Sequence, residues 1–145
     1  MQLPAFMSRP VAHALCAAAI LLPAGAFAAD LSLSVADGPA ADATLYVALY
    51  RDAAGYADSK AVASQTAPMQ GGKARLVFAG LASGRYALRV FADENGNGKL
   101  DTNLMGMPIE RYGFSNDAKG NRAAPDFEAA AIAIDADMQT VIHLR

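Results

Sequence analysis

The chain has a single cysteine, Cys16, and only one histidine, His143, beyond its first thirty residues. Cys16 lies in a segment expected to be removed, so the remaining protein has no disulfide, no thiolate metal site and no cysteine nucleophile. One histidine near the C-terminus leaves little for acid–base or serine–histidine–acid catalysis, and no serine stands in a nucleophile-elbow context. No basic run or stripe occurs. From Asp30 onward 11 basic residues face 14 acidic ones, which argues against a nucleic-acid partner. No apolar run after residue 30 is long enough to cross a membrane, which takes roughly 20 residues in a helix.

The N-terminus reads as a targeting segment. Arg9 precedes an apolar run from Val11 to Leu22, interrupted only by His13, and Ala26-Phe27-Ala28 offers the small-x-small pattern that signal peptidase cleaves. Cleavage is predicted after Ala28 or Ala29, making residues 1–29 a signal peptide and residues 30–145 a single domain, secreted or periplasmic. Cys16 sits in the middle of the run rather than after a small-residue box at its end, so a lipoprotein signal is not indicated. An exported domain without disulfides rests on its core, with a bound metal as the remaining staple.

The dominant period from Asp30 onward is two. Leu31, Leu33 and Val35 alternate with serines, and Leu45, Val47 and Leu49 alternate with Tyr46, Ala48 and Tyr50. Leu76 and Phe78 continue the pattern, then Tyr86, Leu88 and Val90 with Arg85 and Arg89 on the other face, then Ile132 and Ile134, then Ile142 and Leu144. Turn signals at Asp37-Gly38-Pro39, Gly71-Gly72, Ser83-Gly84 and Asp135-Ala136-Asp137 separate these runs. The reading is all-β: an antiparallel, Ig-like β-sandwich of about seven strands. Helix is expected at most over residues 52–64, and 115–126 reads as loop. Pro68 and Pro108 belong at edges or strand ends, because proline cannot donate to a ladder.

The most specific stretch is Asp93-Glu94-Asn95-Gly96-Asn97-Gly98-Lys99-Leu100-Asp101. Oxygen-bearing side chains recur at every second position and a glycine holds the sixth, the spacing by which one loop wraps a hard cation such as calcium. The candidate ligands are Asp93, Asn95, Asn97, the Lys99 backbone carbonyl and Asp101. Leu104 stands at the twelfth position, where a full loop carries a bidentate acid, so a distant group such as Glu110 or Asp117, or water, completes the shell. Such a site implies weak affinity, on the order of 10⁻⁴–10⁻³ M. Asn-Gly-Asn-Gly is equally good chemistry for a metal-free hairpin turn. Beyond it, Met105 to Asn116 reads as core, with an apolar surface patch as the alternative.

Two resemblances add to this. Leu81, the Ser83-Gly84 turn and Tyr86 opening an alternating strand resemble transthyretin-like sandwich domains, in which the leucine plugs the core and the tyrosine hydroxyl reaches a backbone group. The run from Phe91 to Ala118, with Met105-Gly106-Met107-Pro108 and Tyr112-Gly113-Phe114-Ser115-Asn116, followed by Pro125, Phe127 and Glu128, resembles the bacterial secreted family called domain of unknown function 2141. That resemblance implies a small exported β-sandwich of no established activity. The expectation is therefore a non-catalytic binding module with a calcium-type loop, whose partner is a glycan or an envelope protein. The alternative is a metal-free structural or accessory domain of the envelope. An unrecognised hydrolase using Asp93 and Asp101 comes third.

Overall fold

The computed structural model describes residues 28–145. The expected signal peptide lies outside the described residues except for Ala28 and Ala29. Those two open strand β1 (Ala28–Ala36), so the expected boundary at Asp30 falls inside a strand. Seven more strands follow: β2 (Ala43–Tyr50), β3 (Ala63–Met69), β4 (Ala74–Ala82), β5 (Gly84–Asp93), β6 (Tyr112–Phe114), β7 (Ile132–Ile134) and β8 (Met138–His143). Two short helices, α1 (Ala53–Ala57) and α2 (Phe127–Ala130), begin at Asp52 and Asp126, whose side chains cap the backbone N–H groups of Gly55 and Ala129.

The chain is mostly β, in two sheets. One has the order β4-β1-β8. The other runs β3-β2-β5-β6, and β7 pairs with the start of β5 on the β6 side. Every pair in the two sheets is antiparallel except one, since β8 runs parallel to β1. The expectation of a purely antiparallel arrangement is corrected there. The physical cause is the short turn from β7 in one sheet to β8 in the other, pinned where Asp30 N–H donates to Asp137 Oδ1 at 2.8 Å. Pro68 sits in β3, an edge strand, opposite Thr44.

The period of two does what the sequence predicts. Leu31, Leu33 and Val35 of β1, Leu45, Val47 and Leu49 of β2, and Tyr86, Leu88, Val90 and Ala92 of β5 turn to one face. With Phe78, Met69, Ile134 and Ile142 they form one buried cluster drawn from both sheets. Burying a side chain of this size stabilises by roughly 1.5–3 kcal/mol. Tyr86 is buried and its hydroxyl donates to the Ala82 carbonyl at 2.8 Å, while Leu81 packs at the cluster's edge.

The opposite face of the five-stranded sheet is not a solvent face. Tyr50 of β2, Ala87 of β5 and Phe114 of β6 meet Tyr56 of α1 and Phe127 and Ala130 of α2 in a second buried cluster. Tyr50–Tyr56 and Tyr56–Phe127 pack edge to face, at 5.2 and 6.0 Å between centroids. Ser115, fully buried, holds this layer to the sheet by donating to the Ala130 carbonyl and accepting from Leu88 N–H.

Candidate functional site

Asp93 ends β5 on that outer face, in register with Thr44. Its carboxylate is buried and is the hub around which the following loop is wound. Oδ1 accepts from Gly96 N–H at 2.7 Å and Asn97 N–H at 3.2 Å, and Oδ2 accepts from Gly98 N–H at 2.7 Å. Gly96 and Gly98 adopt φ of 77° and 74°, the left-handed region where a side chain is strained, so the glycines are what permits this winding. Burial pushes the Asp93 carboxyl upward. The N–H groups of Gly98, Gly96, Asn97 and Asn95 outweigh it and hold the group below the ordinary carboxylate range.

Asn95, Asn97 and Asp101 come together across the loop. Asn97 Nδ2 lies 3.0 and 2.9 Å from the two Asp101 oxygens, and Asn95 Nδ2 also donates to Asp101. The amide oxygens serve the backbone: Asn95 Oδ1 accepts from Asn97 N–H and Asn97 Oδ1 from Lys99 N–H. A cation seated among these groups requires both amides to turn over, presenting oxygen where they now present nitrogen. Among the described residues no group of three or more His, Cys, Asp or Glu side chains could hold a metal ion.

Glu110 is brought to the loop, as its distance in sequence allowed. It is buried, and its two oxygens accept from Glu94 N–H at 3.0 Å and Asp101 N–H at 2.9 Å. Glu110 thus closes the loop like a clasp at both ends. Asp117, the other distant acid, goes elsewhere. It accepts from His143 N–H and lies 2.7 Å from His143 Nδ1. Backbone and side-chain bonds from His143 outweigh desolvation and lower the Asp117 pKa, and the bond to Asp117 raises that of His143.

The segment expected to be core is corrected. Leu104, Met105, Met107 and Ile109 are exposed. Residues 101–109 turn back on themselves through local bonds. Asn103 N–H donates to the Met107 carbonyl, Asn103 Oδ1 accepts from Met105 and Met107 N–H, and Thr102 bridges Pro108. A segment closed on its own backbone has no strand to lay its side chains into the core. The chain returns to the packed layers from β6 onward, with Tyr112, Gly113 and Phe114 followed by the buried Ser115.

Between this turn and the aromatic layer lies a groove of about 1070 Å³. Tyr46 and Phe91 form its floor, stacked at 5.0 Å with 6° between their planes, and Leu100, Met107 and Pro108 form one wall. Arg89 enters from β5. The sequence carries a signal that this face is covered, though not for Arg89 itself: aromatic Tyr46 and Tyr50 share the outward period, and a fully solvated face would not gather aromatics. Among the described residues no helix is long and apolar enough to cross a membrane.

No curated protein and no solved structure matches the chain. The family model described as an uncharacterized protein conserved in bacteria (DUF2141) matches residues 34–142, a span that holds the loop and most of both sheets and of the groove, and the chain belongs to that family.

Proposed function

We propose that the protein is an exported, non-catalytic binding module on a transthyretin-like β-sandwich, and that its 93–101 loop takes a calcium ion. The ligands are Asp93, Asn95, Asn97, the Lys99 carbonyl and Asp101, with Glu110 holding the loop closed from behind. The carrying observation is the convergence of Asn95, Asn97 and Asp101 beside a chain already wound about Asp93. Two carboxylates neutralise a divalent ion, and two amide rotations complete the turn toward oxygen ligation. The ion would stiffen the loop that walls the groove.

A second reading is a metal-free accessory domain of the envelope. It is favoured by the amide nitrogens bonded to Asp101 and by the Glu110 clasp, which leave the loop satisfied on its own. A hydrolase is the weakest reading. His143 faces Asp117, and Ser115 spends its hydroxyl on Ala130 and Leu88.

Thermal melting in EDTA and across a calcium titration to several millimolar separates the first two. A ligand bound only by the folded state stabilises by mass action, about 1.4 kcal/mol at a tenfold excess over Kd. A calcium-specific rise in Tm, absent with magnesium and in Asp101→Ala, is expected. An unchanged Tm at every concentration rejects the metal and leaves the accessory domain. Mass spectrometry of the exported protein tests the leader, with a first residue at Ala29 or Asp30 expected.

A further inference from the structure

The groove beside the loop has a charge pattern that the rest of the chain does not. Acidic residues outnumber basic ones overall, 14 to 12, yet the groove is lined by Arg89, Lys119, Arg122 and Arg145 and by no aspartate or glutamate side chain. Arg89 is the anchor of this set. Its guanidinium lies 3.9 Å from the Tyr56 ring centroid and 5.1 Å from that of Tyr50, it donates to the Tyr56 carbonyl and Ser59 Oγ, and it also interacts electrostatically with the Tyr56 side chain. Its Nε is buried without a hydrogen-bond partner, and among the described residues it forms no ion pair. The rings hold the guanidinium in place without neutralising it, and a carboxylate is the group its planar fork matches best.

The remaining lining decides what such a carboxylate is attached to. A sugar would call on side-chain amides and carboxylates for its hydroxyls. The groove offers one amide, Gln65, and its nitrogen is bonded to the Val77 carbonyl. A nucleobase would call for an open pair of ring faces to enter. Tyr46 and Phe91 each spend one face on the other, Arg145 lies over Tyr112 and Phe114, and Arg89 lies over Tyr50. What stays available is an apolar, adaptable wall of Leu100, Met107 and Pro108, with the hydroxyls of Ser59, Ser64, Thr66 and Thr102 elsewhere in the lining. Leu104, Met105 and Ile109, neighbours of the wall in sequence, are exposed. Unbranched methionines fit an irregular aliphatic chain well. At about 1070 Å³ the groove is slightly larger than the roughly 300–1,000 Å³ usual for small-ligand sites.

We infer that this groove binds a fatty carboxylate, its head on Arg89 and its chain along the Phe91 floor toward the Met107 wall. The inference rests on the binding-module reading and is independent of the calcium ion. It is tested by isothermal titration calorimetry of the full protein with dodecanoate below its micelle concentration, in EDTA, since calcium would precipitate the fatty acid. Dodecanol, acetate, an oligogalacturonate and an eight-residue oligothymidylate serve as comparison probes. One dodecanoate per chain is expected, with the other four probes each at least tenfold weaker. Arg89→Gln should weaken dodecanoate about tenfold, the loss of one charge-assisted contact. Lys119→Gln/Arg122→Gln, on an exposed segment outside both buried clusters, should weaken it about threefold, and the distant Lys73→Gln not at all.

Absence of dodecanoate binding overturns the inference, as does undiminished binding by both groove variants. Tighter binding of the oligogalacturonate or the oligothymidylate also overturns it, and in that case the binding-module reading survives with a different ligand. Should Arg89→Gln melt far below the parent, the Lys119/Arg122 variant alone decides.

Discussion

Strand β5 presents two covered faces with different purposes. Tyr86, Leu88, Val90 and Ala92 point into the main cluster, where burial against apolar neighbours dominates and the Tyr86 hydroxyl adds one bond to the Ala82 carbonyl. Ala87, Arg89, Phe91 and Asp93 alternate with them on the other side. There the environment changes along the strand: small aromatic core, guanidinium, groove floor, loop hub. One face could be repacked with other apolar residues of similar volume. The other depends on particular polar atoms at particular distances. A strand that buries both faces without being apolar on both is therefore the feature to interrogate.

The sharpest test sets neighbours against each other. Leu88→Ala is expected to cost about 2–5 kcal/mol in chemical denaturation, because it removes a fully buried side chain and leaves a cavity. Arg89→Gln, one residue on, loses packing over Tyr50 and Tyr56 worth about 1 kcal/mol. Equal losses at the two positions would erase the distinction between the faces. Glu110→Gln lies between them in size. One of the two clasped N–H groups, at Glu94 or Asp101, then faces the amide nitrogen, at a cost of about 1–3 kcal/mol. If Glu110→Gln melts like the parent, the clasp is ornamental.

The sequence shows the inner face far better than the outer one. Six strands carry an apolar period of two strong enough to read directly. β3 does not, because Ala63-Ser64-Gln65-Thr66-Ala67-Pro68-Met69 is an edge strand contributing only Ala67 and Met69 to the buried cluster. β6 is three residues long with Gly113 at its centre, and α2 is four residues long, too short for any period to show. At the site, the Asp93–Asp101 spacing announces a wound loop, while Glu110, expected as a distant ligand, stands at the loop with both oxygens on backbone N–H groups. Arg89 could not be ranked above Arg85 from spacing alone. Arg85 pairs with the exposed Glu128 and Arg89 pairs with no acid, and only the fold distinguishes them.

Acid should act on the loop before it acts on the core. The Asp93 carboxyl has a lowered pKa in the folded state, so its contribution is present above the ordinary carboxylate range and is lost as pH falls through the folded value. Protection of the Gly96, Asn97 and Gly98 N–H groups, taken as exchange relative to the intrinsic rate at each pH, is expected to fall as pH drops below the ordinary carboxylate range and through the lowered Asp93 value. Leu88 N–H, bonded to buried Ser115, should stay protected over the same range. Simultaneous release would mean that loop and strand open as one unit.

The smallest effect belongs to the His143–Asp117 pair, at the end of β8 and half exposed on both sides. The His143 pKa is raised above 6.5 by Asp117, so its stabilisation is complete below that value and fades as pH climbs through the folded pKa. Asp117 is shifted the other way, so its share vanishes as pH falls through its own folded value. The pair therefore contributes most between roughly pH 4 and 6.5. His143→Gln should lower Tm in that window and converge on the parent toward pH 9, apart from whatever the neutral imidazole still supplies to Asp117. A pH-independent difference would mean that the ring acts through packing alone. A larger difference at pH 9 than at pH 5 would reverse the sign and remove the ion pair from the account of this edge.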